Sequence, residues 1–308
     1  MIGYDRLGSN GRLGNQMFQY AALRGIAANR NFDWCIPPEG FPSLTNYGLY
    51  DAFKLKNLTE KNVGVLNPII SKQEQFSFYN LASANRNVRN RIERSYEFDE
   101  DLFNNVEDNT NIDGFFQSEK YFKHIESEIR EDFEFVDGIL EPCKEFMKQF
   151  SEVVFLHVRR GDNVGREDLC RIPKLEGYYA DALTRFSDTA AVLVCSDDIE
   201  WCKEQSFFDD ERFLLSENNE RYNFKCLDGD NVLRNSTIPY VDLCLMSLCN
   251  GGITATSSLS WWGAWLQNNR TKDIIVPEPW FGPDLMKGNN TKDLIPDNWK
   301  QFSYKNSK

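Results

Sequence analysis

Arg159 and Arg160 stand at the end of an unbroken run, Val153-Val154-Phe155-Leu156-His157-Val158, and are followed at once by Gly161 and Asp162. A largely apolar run without polar alternation reads as a strand buried on both faces of a parallel sheet. Such sheets take ligands just beyond the carboxyl ends of their strands, where these arginines emerge. The planar fork of a guanidinium gives bidentate, charge-assisted hydrogen bonds, which suits a phosphate or pyrophosphate. Side chains alternate along a strand, so His157 and Arg159 share one face while Val158 and Arg160 share the other. One arginine then faces the ligand and the other braces the loop against Asp162. A purely structural Arg–Asp loop fits these few residues equally well.

Further candidates lie downstream. Thr254-Ala255-Thr256-Ser257-Ser258 follows a glycine-initiated strand and passes into the apolar helix Leu259-Ser260-Trp261-Trp262-Gly263-Ala264-Trp265. Hydroxyls and free amides at a helix start receive a phosphate, and the same pattern serves as a serine cap on a core helix. Asp242 stands in the first turn of an otherwise apolar helix, where it either favours the helix dipole or accepts from the N1–H and amino donors of a guanine. Asp197 and Asp198, at the end of the apolar run Ala190–Cys195, suit a ribose hydroxyl or a metal, or cap the next helix, and capping is the simpler reading. Near the start, Gly8-Ser9-Asn10-Gly11-Arg12-Leu13-Gly14-Asn15-Gln16 has G-x-x-G-x-x-G spacing, which is not the dinucleotide fingerprint. It reads either as a loop whose backbone nears a ligand, with Asn15 and Gln16 offering amides, or as a glycine turn opening a helix. A nicotinamide oxidoreductase built on these glycines is a competing class.

Other chemistries are excluded by composition. With two histidines, His124 and His157, a His-based zinc site is not expected. No nucleophile-elbow sequence accompanies His157, and no isolated D-x-D ends a strand, so no metal is expected. Thirty-five basic against 47 acidic residues, a net charge of -12, argue against a nucleic-acid or anionic-membrane partner. Against that field the local group Arg159, Arg160, Arg166 and Arg171 stands out. No apolar run is long enough to span a bilayer, and no signal-like stretch opens the chain. Eight cysteines at 35, 143, 170, 195, 202, 226, 244 and 249 form no C-x-x-C pair and read as buried reduced thiols. The expected compartment is the cytoplasm, so the sequons at Asn57, Asn235, Asn269 and Asn289 are read as chance.

The elements that must hold these residues read as α/β. A helix begins near Leu13, and Phe32–Ile36 reads as a strand. Residues 40–112 give only weak signals of short helices and loops. Ile112–Gln117 reads as a strand, followed by helical spacing from Lys120 to Phe133. After Phe135 come a polar helix and four strands, at 153–158, 190–195, 251–255 and 273–276. Helical patterns at Tyr178–Phe186, Tyr240–Leu248 and Ser260–Gln267 separate them, as right-handed crossovers in a parallel sheet require. Two domains are expected, 1–134 and 135–308, the second ending in a turn-rich tail anchored by Trp299 and Phe302.

Taken in order, the motifs Gly11-Arg12-Leu13-Gly14-Asn15-Gln16-Met17-Phe18-Gln19-Tyr20, Gly114-Phe115-Phe116-Gln117-Ser118-Glu119-Lys120-Tyr121-Phe122, His157-Val158-Arg159-Arg160-Gly161-Asp162, Tyr178-Tyr179, Ser257-Ser258-Leu259-Ser260-Trp261-Trp262-Gly263-Ala264-Trp265-Leu266, Pro279-Trp280-Phe281 and Ile295-Pro296-Asp297-Asn298-Trp299 resemble the α-1,2-fucosyltransferase family, glycosyltransferase family 11. Local similarity extends to α-1,6- and protein O-fucosyltransferases. The resemblance implies a GT-B-like fold of two facing Rossmann-like domains with parallel sheets. It implies that the C-terminal domain binds GDP-β-L-fucose, that the N-terminal domain is the acceptor side, and that inversion gives an α-L-fucoside without metal or other cofactor. By the same resemblance Arg159 binds the pyrophosphate and stabilises departing GDP, with Arg160 beside it. His157 and Asp242 contact guanine, Ser257 and Ser258 meet the phosphates, and Asn15 contacts the donor. Glu167 corresponds to a carboxylate that activates the acceptor hydroxyl in α-1,6-enzymes, but Asn163 replaces a lysine of that relay. Base catalysis by Glu167 and a loose, base-independent displacement both stay open. So do a different linkage, including α-1,6, and a GDP-sugar-binding protein without turnover. The acceptor glycan and the oligomeric state are not legible.

Overall fold

The computed structural model describes residues 1–41, 47–67, 88–216, 239–268 and 273–303. Cys226 and the sequons at Asn235 and Asn269 lie outside the described residues. The chain is α/β, with two parallel sheets in two compact units. The first unit comprises Met1–Glu134 with Asn289–Pro296, and the second Phe135–Gly288 with Asp297–Lys308.

In the first unit, strands β1 (Ile2–Gly3), β2 (Trp34–Cys35), β3 (Arg89–Ile92) and β4 (Thr110–Asp113) are ordered β2-β1-β4-β3, every pair parallel. Helix α1 (Leu13–Arg30) is buried on nearly all sides from Leu13 to Ala27, which explains why its apolar stripe is wide. Gly25 lets it lie directly on the backbone of Tyr121, whose carbonyl a Cβ would strike. Beneath that contact the helical spacing from Lys120 to Phe133 breaks into turns at Glu119–Tyr121 and Lys123–Ile125, and only Glu126–Asp132 is α-helical. The strand expected at Ile112–Gln117 stops at Asp113, because Phe116 turns into the left-handed region at φ 51°. Asn289–Pro296 packs with this unit: Asp293 accepts from Phe98 N at 3.0 Å and from Lys120 Nζ at 2.5 Å, and Asn290 N donates to Ser95 Oγ at 2.8 Å.

The second unit opens with helix α2 (Asp137–Met147) and carries six parallel strands: β5 (Val153–Val158), β6 (Ala191–Ser196), β7 (Phe213–Leu215), β8 (Gly252–Ile253), β9 (Ile274–Glu278) and β10 (Lys300–Ser303). Their order, β10-β9-β8-β5-β6-β7, is that of a Rossmann sheet, with the chain reversing its direction of winding between β5 and β8. Every residue of β5 is buried, as the uninterrupted run predicts. Val154, Leu156 and Val158 pack against Tyr178, Tyr179 and Ala182 on one face. On the other face Cys195, the register partner of His157, lies near Cys143 of α2 and Asp242 of helix α3 (Pro239–Leu248). Helix α4 (Ser258–Trp265) follows β8, and Trp299 docks on it with its ring 5.3 Å from Trp261. Gly252 leaves room for the Phe155 ring, which a Cβ would strike.

Of three edge strands, β7 is the short apolar run Phe213-Leu214-Leu215, whereas β3 reads Arg-Asn-Arg-Ile and β10 Lys-Gln-Phe-Ser, with no alternating apolar pattern. Polar strands at a sheet margin are held by backbone pairing, which leaves little trace in side-chain periodicity.

Candidate active site

The reversal between β5 and β8 puts three loops at one edge of the second sheet: 159–171 after β5, Asp197–Asp198 after β6, and Thr254–Ser257 after β8. Ligands of open α/β sheets lodge at such a point. The register Val158↔Ser196 sets Arg159 and Arg160 beside the two aspartates.

Arg159 is ion-paired with both Asp162 and Asp197, and its side chain is 16% exposed. Arg160 donates from its backbone N to Asp197 Oδ1 at 2.9 Å and from Nε to Asp198 Oδ2 at 2.9 Å. Its guanidinium lies 3.8 Å from the centre of the Trp201 ring. Arg160 is thus held by a carboxylate and a π-face together, and the residue that meets Asp162 is Arg159. Asp197 and Asp198 therefore partner the arginines, and the side chain of Asp198 makes no cap bond to the helix that follows. Arg159 and Arg160 are thus locally neutralised rather than forming a bare positive patch. Gly161, at φ 23°, admits this packing, since a Cβ there would collide with Asp197.

The same loop is fixed from its far side. Gly282 N donates to Leu169 O at 2.8 Å, Asp284 N to Asp168 O at 2.9 Å, and Thr256 Oγ1 to Arg171 O at 2.7 Å. Glu167 sits exposed within it, its Oε1 accepting from Gly165 N at 3.3 Å. Tyr178 and Tyr179, on a short π-helical turn, brace the strand ends. Tyr178 OH donates to Thr254 O (2.8 Å) or Ile275 O (3.0 Å), and Tyr179 OH to His157 O (2.7 Å).

His157 is buried, and burial together with the Arg159 charge pushes its pKa down to about 3, so the imidazole is neutral. Its Nδ1 has no hydrogen-bond partner among the described residues. Asp242 is also buried, and desolvation raises its pKa to about 7 although Ser216 Oγ donates to its Oδ1 at 2.6 Å. Ser257 caps α4, its Oγ accepting from Leu259 N at 3.3 Å, and Ser258 is the first helical residue. Thr254 Oγ1, fully buried at the end of β8, has no partner among the described residues.

Asn15 belongs to the first unit, in the opening turn of α1, above the point where that sheet reverses between β1 and β4. Gln117 Nε2 donates to its Oδ1 at 2.9 Å. Gln16 does not offer its amide outward: it is fully buried, donating to Gly11 O at 3.2 Å and accepting from Gly48 N at 3.0 Å. Around the same edge Arg6 Nη1 donates to Asp113 Oδ2 at 3.0 Å, and Glu93 accepts from Phe115 N and Phe116 N. Sequence reading missed Glu93, Asp197 and Asp198 as partners, because each depends on which strands lie side by side.

Burial raises the Glu93 carboxyl from its ordinary value of 4.5 to about 8, against the two amide bonds that lower it. The folded state then holds this proton more tightly than the unfolded chain. Stability from this group is full below about pH 4.5 and is lost as pH rises through about 8. Thermal melts of wild type between pH 5 and 9 are expected to show a decline, on the order of a few kcal/mol, that Glu93→Gln flattens. A parallel slope in both proteins contradicts the assignment.

A Rossmann-ordered sheet with two anchored arginines and a helix start at its reversal point defines an α/β protein with the arrangement in which open parallel sheets take their ligands. The chain belongs to glycosyl transferase family 11, whose model matches residues 4–301, and it is a glycosyltransferase. It is 31% identical over 307 residues to an alpha-1,2-colitosyltransferase of Escherichia coli, covering 94% of this chain and 95% of that one. It is 25% identical over 289 residues to the mouse galactoside alpha-(1,2)-fucosyltransferase 2, covering 87% and 70%. In fold it is similar to the fucosyltransferase NodZ from Bradyrhizobium, with TM-score 0.52 at 13% identity over 86% of this chain and 93% of that one. Among the described residues no helix is long and apolar enough to cross a membrane.

Proposed function

We propose that the protein transfers L-fucose from GDP-β-L-fucose to the 2-hydroxyl of a galactoside, inverting the anomeric centre to give an α-1,2 linkage. The observation that carries this reading is the Arg159 guanidinium, fixed by two carboxylates at the reversal point of the second sheet. The acceptor oxygen attacks the anomeric carbon as the bond from that carbon to the β-phosphate oxygen breaks. Negative charge grows on the departing GDP, and Arg159, with Arg160 and the Ser257–Ser258 helix start, stabilises it. Neutral His157 and the ionised form of Asp242, which burial leaves half populated near pH 7, hold the guanine; a carboxylate acceptor suits its adjacent N1–H and amino donors. Glu167 takes the acceptor proton, a role supported by the bonds that tie its loop down at Asp168 and Leu169. The second unit takes the nucleotide and the first takes the glycan. Asn15 is assigned a donor contact on its resemblance to the protein O-fucosyltransferases. No metal ion enters this scheme, so activity is expected to survive EDTA. Among the described residues no cysteine is disulfide-bonded, which fits a reducing compartment such as the cytosol.

A second reading keeps the linkage and changes the donor sugar to colitose; the 31% identity to the alpha-1,2-colitosyltransferase favours it. Thermal-shift titration against GDP-fucose, the colitosyl donor, GDP-mannose and UDP-galactose separates these readings. A ligand at about 100 times its Kd stabilises by about 2.7 kcal/mol, a shift of several degrees. GDP-fucose is expected to give the largest shift, and linkage analysis of the product a 2-substituted galactose. Equal shifts from UDP-galactose would end the donor assignment, and a preference for the colitosyl donor would select the second reading.

A further inference from the structure

Glu93 has no part in the chemistry above, yet three independent features converge on it. It directly follows β3, and its N continues the ladder by donating to Asp113 O at 2.9 Å. Its Oε2 accepts from two successive backbone amides, Phe115 N at 2.9 Å and Phe116 N at 2.8 Å, while Tyr121 OH lies 3.3 Å from Oε1. Gly114 is what lets it come so close, because a Cβ there would sit 2.5 Å from Glu93 Cβ and 2.8 Å from Oε2. A carboxyl oxygen that captures two consecutive amides dictates the backbone between them. Here that backbone includes Phe116 in the left-handed region, at φ 51°, where a residue with a Cβ needs outside support.

The turn so fixed delivers Gln117. Its buried side chain points Nε2 at Asn15 Oδ1, 2.9 Å away. With Oδ1 taken, Asn15 presents its Nδ2 side, which rests over Gly11: a Cβ at Gly11 would lie 2.6 Å from that nitrogen. The order is therefore Glu93 to the Gly114–Gln117 turn, to the Gln117 amide, to the Asn15 amide. We propose that Glu93 is a positioning residue that orients the Asn15 amide for the donor through the Gly114–Gln117 turn. The proposal rests on the donor contact assigned to Asn15 above.

The test uses the full chain and two readouts. The first is the side-chain amide resonance of Asn15, assigned by its loss in Asn15→Asp. Glu93→Asp keeps the carboxyl group but shortens the reach to the two amides, so the resonance is expected to move as it does in Gln117→Ala. Glu93→Gln keeps an oxygen at the same reach and is expected to leave it near its wild-type position. The second readout is the KM for donor, expected to rise about tenfold in Glu93→Asp, Gln117→Ala and Asn15→Ala with the acceptor KM unchanged. The Glu93→Asp/Gln117→Ala double variant should rise no further, because both changes cut one relay. An Asn15 resonance that stays put in Glu93→Asp, or KM increases that multiply in the double variant, overturns the proposal. If the resonance moves while Asn15→Ala leaves the donor KM unchanged, the relay stands and the donor contact of Asn15 is what fails.

Discussion

Replacing Arg159 by alanine is expected to lower kcat by on the order of 10²–10³ or more, the loss typical of removing one donor to a developing oxyanion. The guanidinium is already oriented by Asp162 and Asp197, so the enzyme makes little further adjustment when charge appears on the leaving phosphate. Interactions that strengthen as the bond breaks act on kcat, whereas those equal in both states act on KM. The drop should therefore fall chiefly on kcat. Removing the cation also leaves two carboxylates facing each other, which costs stability. Arg159→Lys controls for this: it retains a positive charge but not the planar fork. Its melting temperature should stay closer to wild type while transfer remains severely impaired. Turnover within threefold of wild type in a folded Arg159→Ala protein would remove the basis of the proposed function.

Asp242 offers the second large effect, and it has a pH signature. A carboxyl whose pKa in the free protein is about 7 is half protonated at neutrality. Only its ionised form accepts from both guanine donors, so GDP affinity should weaken as pH falls below about 7. Far below that point the Kd should grow tenfold per pH unit. Asp242→Ala is expected to weaken GDP by on the order of 10²-fold or more, because two donors of the base lose their acceptor in a buried site. The same change should flatten the pH dependence and shrink the preference for GDP over ADP. Calorimetric titrations at pH 5.5, 7 and 8.5 test both points. Nucleotide affinity that is level across pH in the wild type would exclude Asp242 from the base site. His157, neutral throughout this range, contributes no titration of its own.

Some of this was legible in the chain because buried parallel strands write themselves as apolar runs. Val153–Val158 is such a run, and the residues emerging from it lie at the carboxyl end of the strand, beside the reversal of the sheet order. The alternation of strands and helices after Phe135 likewise gave the α/β class. The partnership of Arg159 with Asp197 was not legible, since it exists only once β5 and β6 are placed side by side in a particular register. Glu93 was hidden for a similar reason: its two amide partners lie 22 and 23 residues away across a strand pair. Its own strand, Arg89–Ile92, has no periodicity to announce it. Protonation states were out of reach as well, because neither the low pKa of His157 nor the high one of Asp242 exists before burial creates it.

The late segment that completes the first unit bears on how the chain matures during synthesis. Phe98 N and Asp293, which bond at 3.0 Å, are 195 positions apart. At about 5–20 residues added per second, roughly 10–40 s pass on the ribosome between them. Throughout that interval the nascent amino-terminal lobe lacks the carboxylate that later ties Phe98 and Lys120 together. Its last native bonds form only after most of the following lobe has been translated, so maturation cannot run strictly from the amino terminus onward.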